Sequence, residues 1–150
     1  MALPIVDAIL ASFCPMRRFH IEHIGIAVSD PEAMGRWYKE VLGFDIRLAG
    51  GDGEKSVSFV SDANRCMVEL FRIPGVEPVA PILSHHLQIH LALESDDFES
   101  DGKWLEANGA RFIEKCPTAL PGDFLLVYHD PWGNCLQLAR RNPGRFTPPT

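Results

Sequence analysis

Four side chains in this sequence have the chemistry of metal donors: His23, Glu69, His90 and Gln137. Two histidine nitrogens with a carboxylate and an amide oxygen suit a divalent ion of the Zn, Ni, Co, Fe or Mn type, with positions left open for water or substrate. The donors fall into two pairs, a His early and an oxygen donor late in each half of the chain, and the spacing within the pairs differs by a single residue. A lone His on a strand is more often solvated than ligating, so the repetition carries the reading. With both imidazoles neutral and only Glu69 charged, a doubly charged ion keeps net positive charge and favours a chelating anion such as an enolate, carboxylate or phosphonate. Gln137 cannot take a proton. If the reaction moves a proton beside a carbonyl, Glu69 is the remaining base beside the ion, with Glu94, Tyr128 and His129 as more distant candidates.

The elements that must position these donors repeat within the chain. An offset of 67 joins His23 to His90 and Trp37 to Trp104, and an offset of 68 joins Phe44 to Phe112, Asp62 to Asp130 and Glu69 to Gln137. Two modules follow, 20–72 and 86–141, each read as strand, helix and three strands. Residues 73–85 form a Pro-rich linker, since Pro74, Pro78 and Pro81 remove backbone donors and hold the chain extended. In the first module Asp30 caps a helix with Pro31 at its first position, Met34, Trp37, Tyr38, Val41 and Leu42 recur at helical spacing, and Gly43 stops it. In the second, Asp96 or Asp97 caps, Phe98, Trp104 and Leu105 face inward, and Gly109 ends the helix. Strands are expected at 44–48, 56–60, 65–71, 110–115, 123–128 and 134–140, with Ala49–Gly53 as a turn.

Side chains alternate faces along a strand. One parity carries Ile24, Ile26, Val28, Val68, Leu70, Leu91, Leu93, Leu136 and Leu138, which belong against the helices. The other carries His23, Gly25, Ala27, Met67, Glu69, Phe71, His90, Ala92, Glu94, Cys135, Gln137 and Ala139. Donor atoms surrounded by Gly and Ala describe a concave face with space above it.

Composition restricts the partners. The chain has 150 residues, 46% hydrophobic and 23% charged, with a net charge of −6, as expected of an ordinary folded domain whose main partner is neither nucleic acid nor an anionic membrane. Cys14, Cys66, Cys116 and Cys135 form no C-x-x-C pair and read as reduced thiols of a cytoplasmic protein. Residues 1–19, with an apolar opening from Met1 to Phe13 that lacks a basic flank, are expected to form an N-terminal arm and to hint at a homodimer contact; residues 142–150 are expected to be a flexible tail.

These residues resemble the vicinal oxygen chelate superfamily, which groups glyoxalase I, bleomycin-resistance proteins, fosfomycin-resistance enzymes, methylmalonyl-CoA epimerases and extradiol dioxygenases. The matching text is His23-Ile-Gly-Ile-Ala-Val, Trp37-Tyr38-x4-Gly43-Phe44, Val68-Glu69-Leu70, His90-Leu-Ala-Leu and Asp130-Pro-Trp-Gly-Asn134-Cys-Leu-Gln137, over about residues 20 to 140. The resemblance implies an α+β fold of two tandem βαβββ modules forming a U-shaped, cupped mixed sheet with helices on the outer face. It carries the metal ligands over to His23, Glu69, His90 and Gln137, although many metal-binding members have a carboxylate where this chain has Gln137. Bacterial glyoxalase I usually has Arg and Asn where this chain has Ala27 and Ile73, which removes support for glutathione. Extradiol dioxygenases take their carboxylate from the final strand, here Gln137, and their Tyr-x-x-Asp-Pro spacing is not met by Tyr128-His129-Asp130-Pro131.

The leading expectation is a metal-dependent enzyme, a lyase, isomerase or transferase acting on an anionic small molecule with vicinal oxygens. The alternative is a metal-free drug- or metabolite-binding protein of the bleomycin-resistance type, and the third reading is a dioxygenase. His85 and His86 read as solvated edge residues, His129 as a turn cap, Trp37 and Trp104 as core anchors, and Lys55 as an ordinary solvated charge. Arg140, Arg141 and Arg145 are surface residues able to hold a substrate anion.

Overall fold

The computed structural model describes residues 20–79, 85–116 and 120–142. The expected N-terminal arm, the end of the linker, Arg145 and almost all of the tail lie outside the described residues. Helix α1 (Pro31–Leu42) starts where the Asp30 carboxylate accepts the Ala33 N–H at 2.9 Å. It stops at Gly43, whose φ of 73° is the left-handed conformation that glycine adopts without a Cβ penalty. Helix α2 (Phe98–Ala107) is capped by Asp97, which accepts the Ser100 N–H at 3.1 Å.

The strands are β1 (Ile24–Ala27), β2 (Asp45–Gly51), β3 (Ser56–Ser61) and β4 (Met67–Arg72) in the first module. The second holds β5 (His90–Glu94), β6 (Arg111–Lys115), β7 (Phe124–His129) and β8 (Cys135–Arg140). Each module makes its own four-stranded mixed sheet, ordered β1-β4-β3-β2 and β5-β8-β7-β6, with the first pair parallel and the rest antiparallel. A register irregularity falls in the second strand of both modules, between Ile46 and Leu48 and between Phe112 and Glu114. The fold is α+β, with two tandem βαβββ modules. β2 runs through Ala49–Gly51, where a turn was expected, because those residues pair with Ser56–Ser58.

Each helix lies close on its sheet at a matched glycine. A Cβ on Gly35 would stand 2.2 Å from Ser58 Oγ, and one on Gly102 would stand 2.5 Å from the Tyr128 hydroxyl. Met34, Tyr38, Val60, Val68 and Leu70 form the first core; Leu105, Ala110, Tyr128, Leu136 and Leu138 form the second. Tyr128 therefore faces α2 and is not a candidate base in the cup. Trp37, Leu42 and Leu91 pack against both cores.

The modules are joined by a reciprocal pair of hydrogen bonds. Trp37 Nε1 donates to the Asn108 carbonyl at 2.8 Å, and Trp104 Nε1 donates to the Val41 carbonyl at 2.9 Å. The offset of 67 that relates the two tryptophans also relates Val41 to Asn108, so the contact is its own image under the internal repeat. This corrects the expectation for Trp104, which is 51% exposed: it ties the modules together by its polar edge and is not a core residue. Ile24, expected against the helix, is 44% exposed because β1 is an edge strand. No helix among the described residues is long and apolar enough to cross a membrane.

Candidate functional site

Sheet register builds the site. Glu69 on β4 pairs with Gly25 on β1 and with Phe59 on β3, so the three share one face, opposite to α1. His23 stands at the entry to β1 on the same parity. Its Nε2 lies 3.3 Å from Glu69 Oε2, with side-chain exposures of 36% and 26%. The edge of Phe59 packs against the imidazole, ring centroids 5.4 Å apart. Gly25 leaves room for the carboxylate: a Cβ there would stand 3.2 Å from Glu69 Oε2 and 3.4 Å from the Phe71 ring.

The other nitrogen of His23, Nδ1, is hydrogen-bonded to the Glu22 carboxylate. An imidazole between two carboxylates is stabilised in its charged form, and its pKa is raised, by the hydrogen bond to Glu22 first, against an opposing desolvation penalty, and further by the charges of Glu22 and Glu69. A divalent ion, if bound here, would be held by His23 and Glu69 in place of that proton. Nδ1–H donated to Glu22 then fixes the tautomer that leaves the Nε2 lone pair for the ion.

The second module repeats the arrangement. His90 Nδ1 lies 3.3 Å from the Leu87 carbonyl, which again leaves Nε2 as the free donor. Gln137 pairs with Ala92 on β5 and Val127 on β7, the positions that Gly25 and Phe59 hold around Glu69, and it is 3% exposed. The short 3₁₀ turn before β5, His86–Gln88, is held by His85. Its ring accepts the Leu87 N–H while Gln88 accepts the His85 N–H. His85 is exposed, as expected of an edge residue, and it also caps this turn.

The structure brings His23 to Glu69 and sets His90 and Gln137 on one face of the other sheet. Among the described residues, no group of three or more His, Cys, Asp or Glu side chains is close enough to hold one ion. His23 with Glu69, and His90 with Gln137, thus stand as one candidate pair of donors in each module.

A cavity of about 500 Å³ opens on the first pair, lined by Glu69, Val57, Phe71, Ile73, the bare backbone of Gly50 and Gly51, and Lys55 with Ser56. Lys55 is exposed, as expected of a solvated charge, and it borders this cavity. Arg140 stacks over Phe98 and Phe124, and Arg141 pairs with the buried Asp123 at 2.7 Å, so both are engaged structurally. His129 ends β7 with its Nδ1 3.4 Å from an Arg111 nitrogen.

A family model for the Glyoxalase/Bleomycin resistance protein/Dioxygenase superfamily matches residues 20–138. The chain belongs to that superfamily. No curated protein sequence matches it. Among solved structures, TnmS3, an antibiotic binding protein from Streptomyces sp. CB03234, is 22% identical over 85% of this chain and 99% of its own, with a TM-score of 0.64. A mutant of the fosfomycin resistance protein FosX from Listeria monocytogenes, complexed with Mn(II) and 1S,2S-dihydroxypropylphosphonic acid, is 12% identical over 85% and 94%, with a TM-score of 0.65. A glyoxalase I mutant from Zea mays is 18% identical over 80% of this chain and 44% of its own, with a TM-score of 0.59. At these identities the likeness establishes the fold.

The Asp130–Asn134 turn of this superfamily member has a local physical reason. The Asp130 carboxylate accepts the N–H groups of Trp132 at 2.9 Å and Asn134 at 2.8 Å, and Gly133 takes a φ of 91°. Burial of Asp130 outweighs these hydrogen bonds and raises its pKa. The turn leads directly into β8, which carries Gln137. Sequence reasoning missed Glu22, Phe59 and Lys55 as members of the site. Phe59 has the right strand parity, but only the pairing with Glu69 reveals which side chain it supports.

Proposed function

We propose that the protein is a divalent-metal-dependent enzyme acting on an anionic small molecule with neighbouring oxygens, a lyase, isomerase or transferase. Its centre is completed in a homodimer, with His23 and Glu69 of one chain facing His90 and Gln137 of a second copy. The observation that carries this reading is the pairing of the two histidines. Each has Nδ1 engaged by a local acceptor and Nε2 left as a donor on the face of an oxygen ligand two positions along in register. The separation of the two pairs within one chain supports a shared centre.

A bound ion of the Zn, Ni, Co, Fe or Mn type would supply Lewis-acid polarisation of two adjacent substrate oxygens. The residues do the rest. Glu69 takes and returns the proton at the carbon beside the polarised oxygen, since the opposing amide of Gln137 has no proton affinity to contribute. Phe59 and Gly25 hold the imidazole and carboxylate in register, and Val57 and Phe71 give the substrate an apolar wall. A reduced, cytoplasmic setting, inferred from the scattered cysteines, belongs to the same proposal.

Elemental analysis of untagged protein tests it, with one ion expected per chain. His23→Ala and His90→Ala should each abolish retention. A refolded mixture of the two variants should recover one ion per heterodimer, because one of its two centres is then intact. Recovery of none refutes the shared centre, and loss of no metal in either variant refutes the donor set.

A second reading rests on the mostly apolar cavity: metal-free binding of a drug or metabolite in the manner of an antibiotic binding protein. It is supported if the wild-type protein holds no stoichiometric ion and binds small aromatic molecules.

A further inference from the structure

The turn between β2 and β3 sets one cation beside the cavity over Glu69. We infer that Lys55 anchors the anionic end of an amphipathic ligand, a small organic monoanion whose apolar body lies along Val57, Phe71 and Ile73 and whose far end reaches Glu69. The inference rests on the proposed function only in taking Glu69 as the reactive end.

Several observations converge on it. The cavity, about 500 Å³, is of the size that buries a small organic molecule. Among the described residues, the charged ones that line it are Lys55 and Glu69, of opposite sign. Glu69 is already engaged with His23. Lys55 is exposed at the cavity's edge, and among the described residues no carboxylate pairs with its ammonium, which leaves it open to an anion entering the cavity.

The backbone around Lys55 is fixed, so the ammonium is presented from a rigid base. Asp52 N–H donates to the Lys55 carbonyl at 3.1 Å, and Lys55 N–H donates to the Asp52 carboxylate at 3.1 Å. Gly51, at a φ of 122°, packs so tightly that a Cβ would stand 2.0 Å from the Lys55 oxygen. Gly50, one residue earlier, has nothing within 4 Å of where a Cβ would be, which leaves the wall open for the ligand.

Register puts the two charges at different points of the cavity: Ser56, next to Lys55, pairs with Arg72, which is three residues along β4 from Glu69. The net charge of −6 repels anions elsewhere on the chain, so a local cation also discriminates between sites.

The test compares two dyes of one shape on chelator-treated, metal-free protein: 8-anilinonaphthalene-1-sulfonate, an anion, and N-phenyl-1-naphthylamine, its uncharged counterpart. Wild-type protein is expected to favour the sulfonate. Lys55→Glu should weaken the sulfonate by about tenfold or more while the neutral dye changes by less than about twofold, and Lys55→Met should fall between; added salt should weaken only the sulfonate. Val57→Asp should weaken both. Equal loss of both dyes in Lys55→Glu, no loss of either, or no wild-type preference for the anion overturns the inference. Because the protein is metal-free in this assay, and because Lys55→Glu should retain metal as wild type does, failure of the metal reading and failure of this one are seen separately.

Discussion

Replacing Gly35 with Ala tests the packing that holds Glu69 and Phe59 in place, because α1 presses on the backs of the strands that carry them. The new Cβ would stand 2.2 Å from Ser58 Oγ, 3.0 Å from Ser58 Cβ and 3.8 Å from a Val60 methyl. A rotamer change can move the hydroxyl away, but Ser58 Cβ is fixed to β3, so the helix must lift by a few tenths of an ångström. Overpacking of this kind costs about 1–3 kcal/mol. Ala in a helix interior returns about 1 kcal/mol relative to Gly. A net loss of about 0–2 kcal/mol is expected, and for a chain of this size that lowers Tm by up to about 8 °C. Ser58→Ala removes the colliding oxygen, a buried hydroxyl with no hydrogen-bond partner among the described residues, and should be neutral or stabilising by itself. In the Gly35→Ala background it should recover part of the loss, giving a coupling of at least ~0.5 kcal/mol in a double-mutant cycle followed by thermal and denaturant unfolding. If Gly35→Ala raises Tm, helix propensity has won, and the close approach of α1 to β3 is wrong.

Three further outcomes are expected. Gly25→Ala should crowd Glu69 Oε2, 3.2 Å from the added carbon, and lower metal affinity roughly tenfold while the protein stays folded; affinity equal to wild type in a metal titration would show that the carboxylate does not need that space. Because the His23 pKa is raised above its ordinary 6.5, a proton competes with the ion up to that higher value, so metal retention should fall as pH drops through it; Glu22→Gln should move the midpoint of retention to lower pH, and an unmoved midpoint would remove Glu22 from the site. Burial pushes the Cys135 thiol up to about 11, so roughly one molecule in a thousand carries its thiolate at pH 8, whereas Cys66 is exposed. Alkylation mapped by peptide mass spectrometry should modify Cys66 well before Cys135, and equal rates would contradict the burial of β8.

What the sequence determined by itself was local and periodic. Asp30-Pro31 and Gly43 bracket a helix because a carboxylate cap, a proline at the first position and a left-handed glycine act on their own neighbours. The offset of 67 disclosed the duplication, and strand parity placed His23 and Glu69 on one face because the pleat alternates regardless of context. Tertiary structure decided what periodicity leaves open. Register set Phe59 and Gly25 around Glu69, and it brought Lys55 to the same cavity through a turn that follows a strand longer than the glycines of 49–53 suggested. Trp104 looked like a core residue by helical spacing, yet a hydrogen bond to the other module's helix keeps its ring at the surface. The four donors share one parity, but parity orders side chains within a sheet and not between two sheets. The packing of module against module, a contact between residues some 70 positions apart, decides which donor pairs can meet.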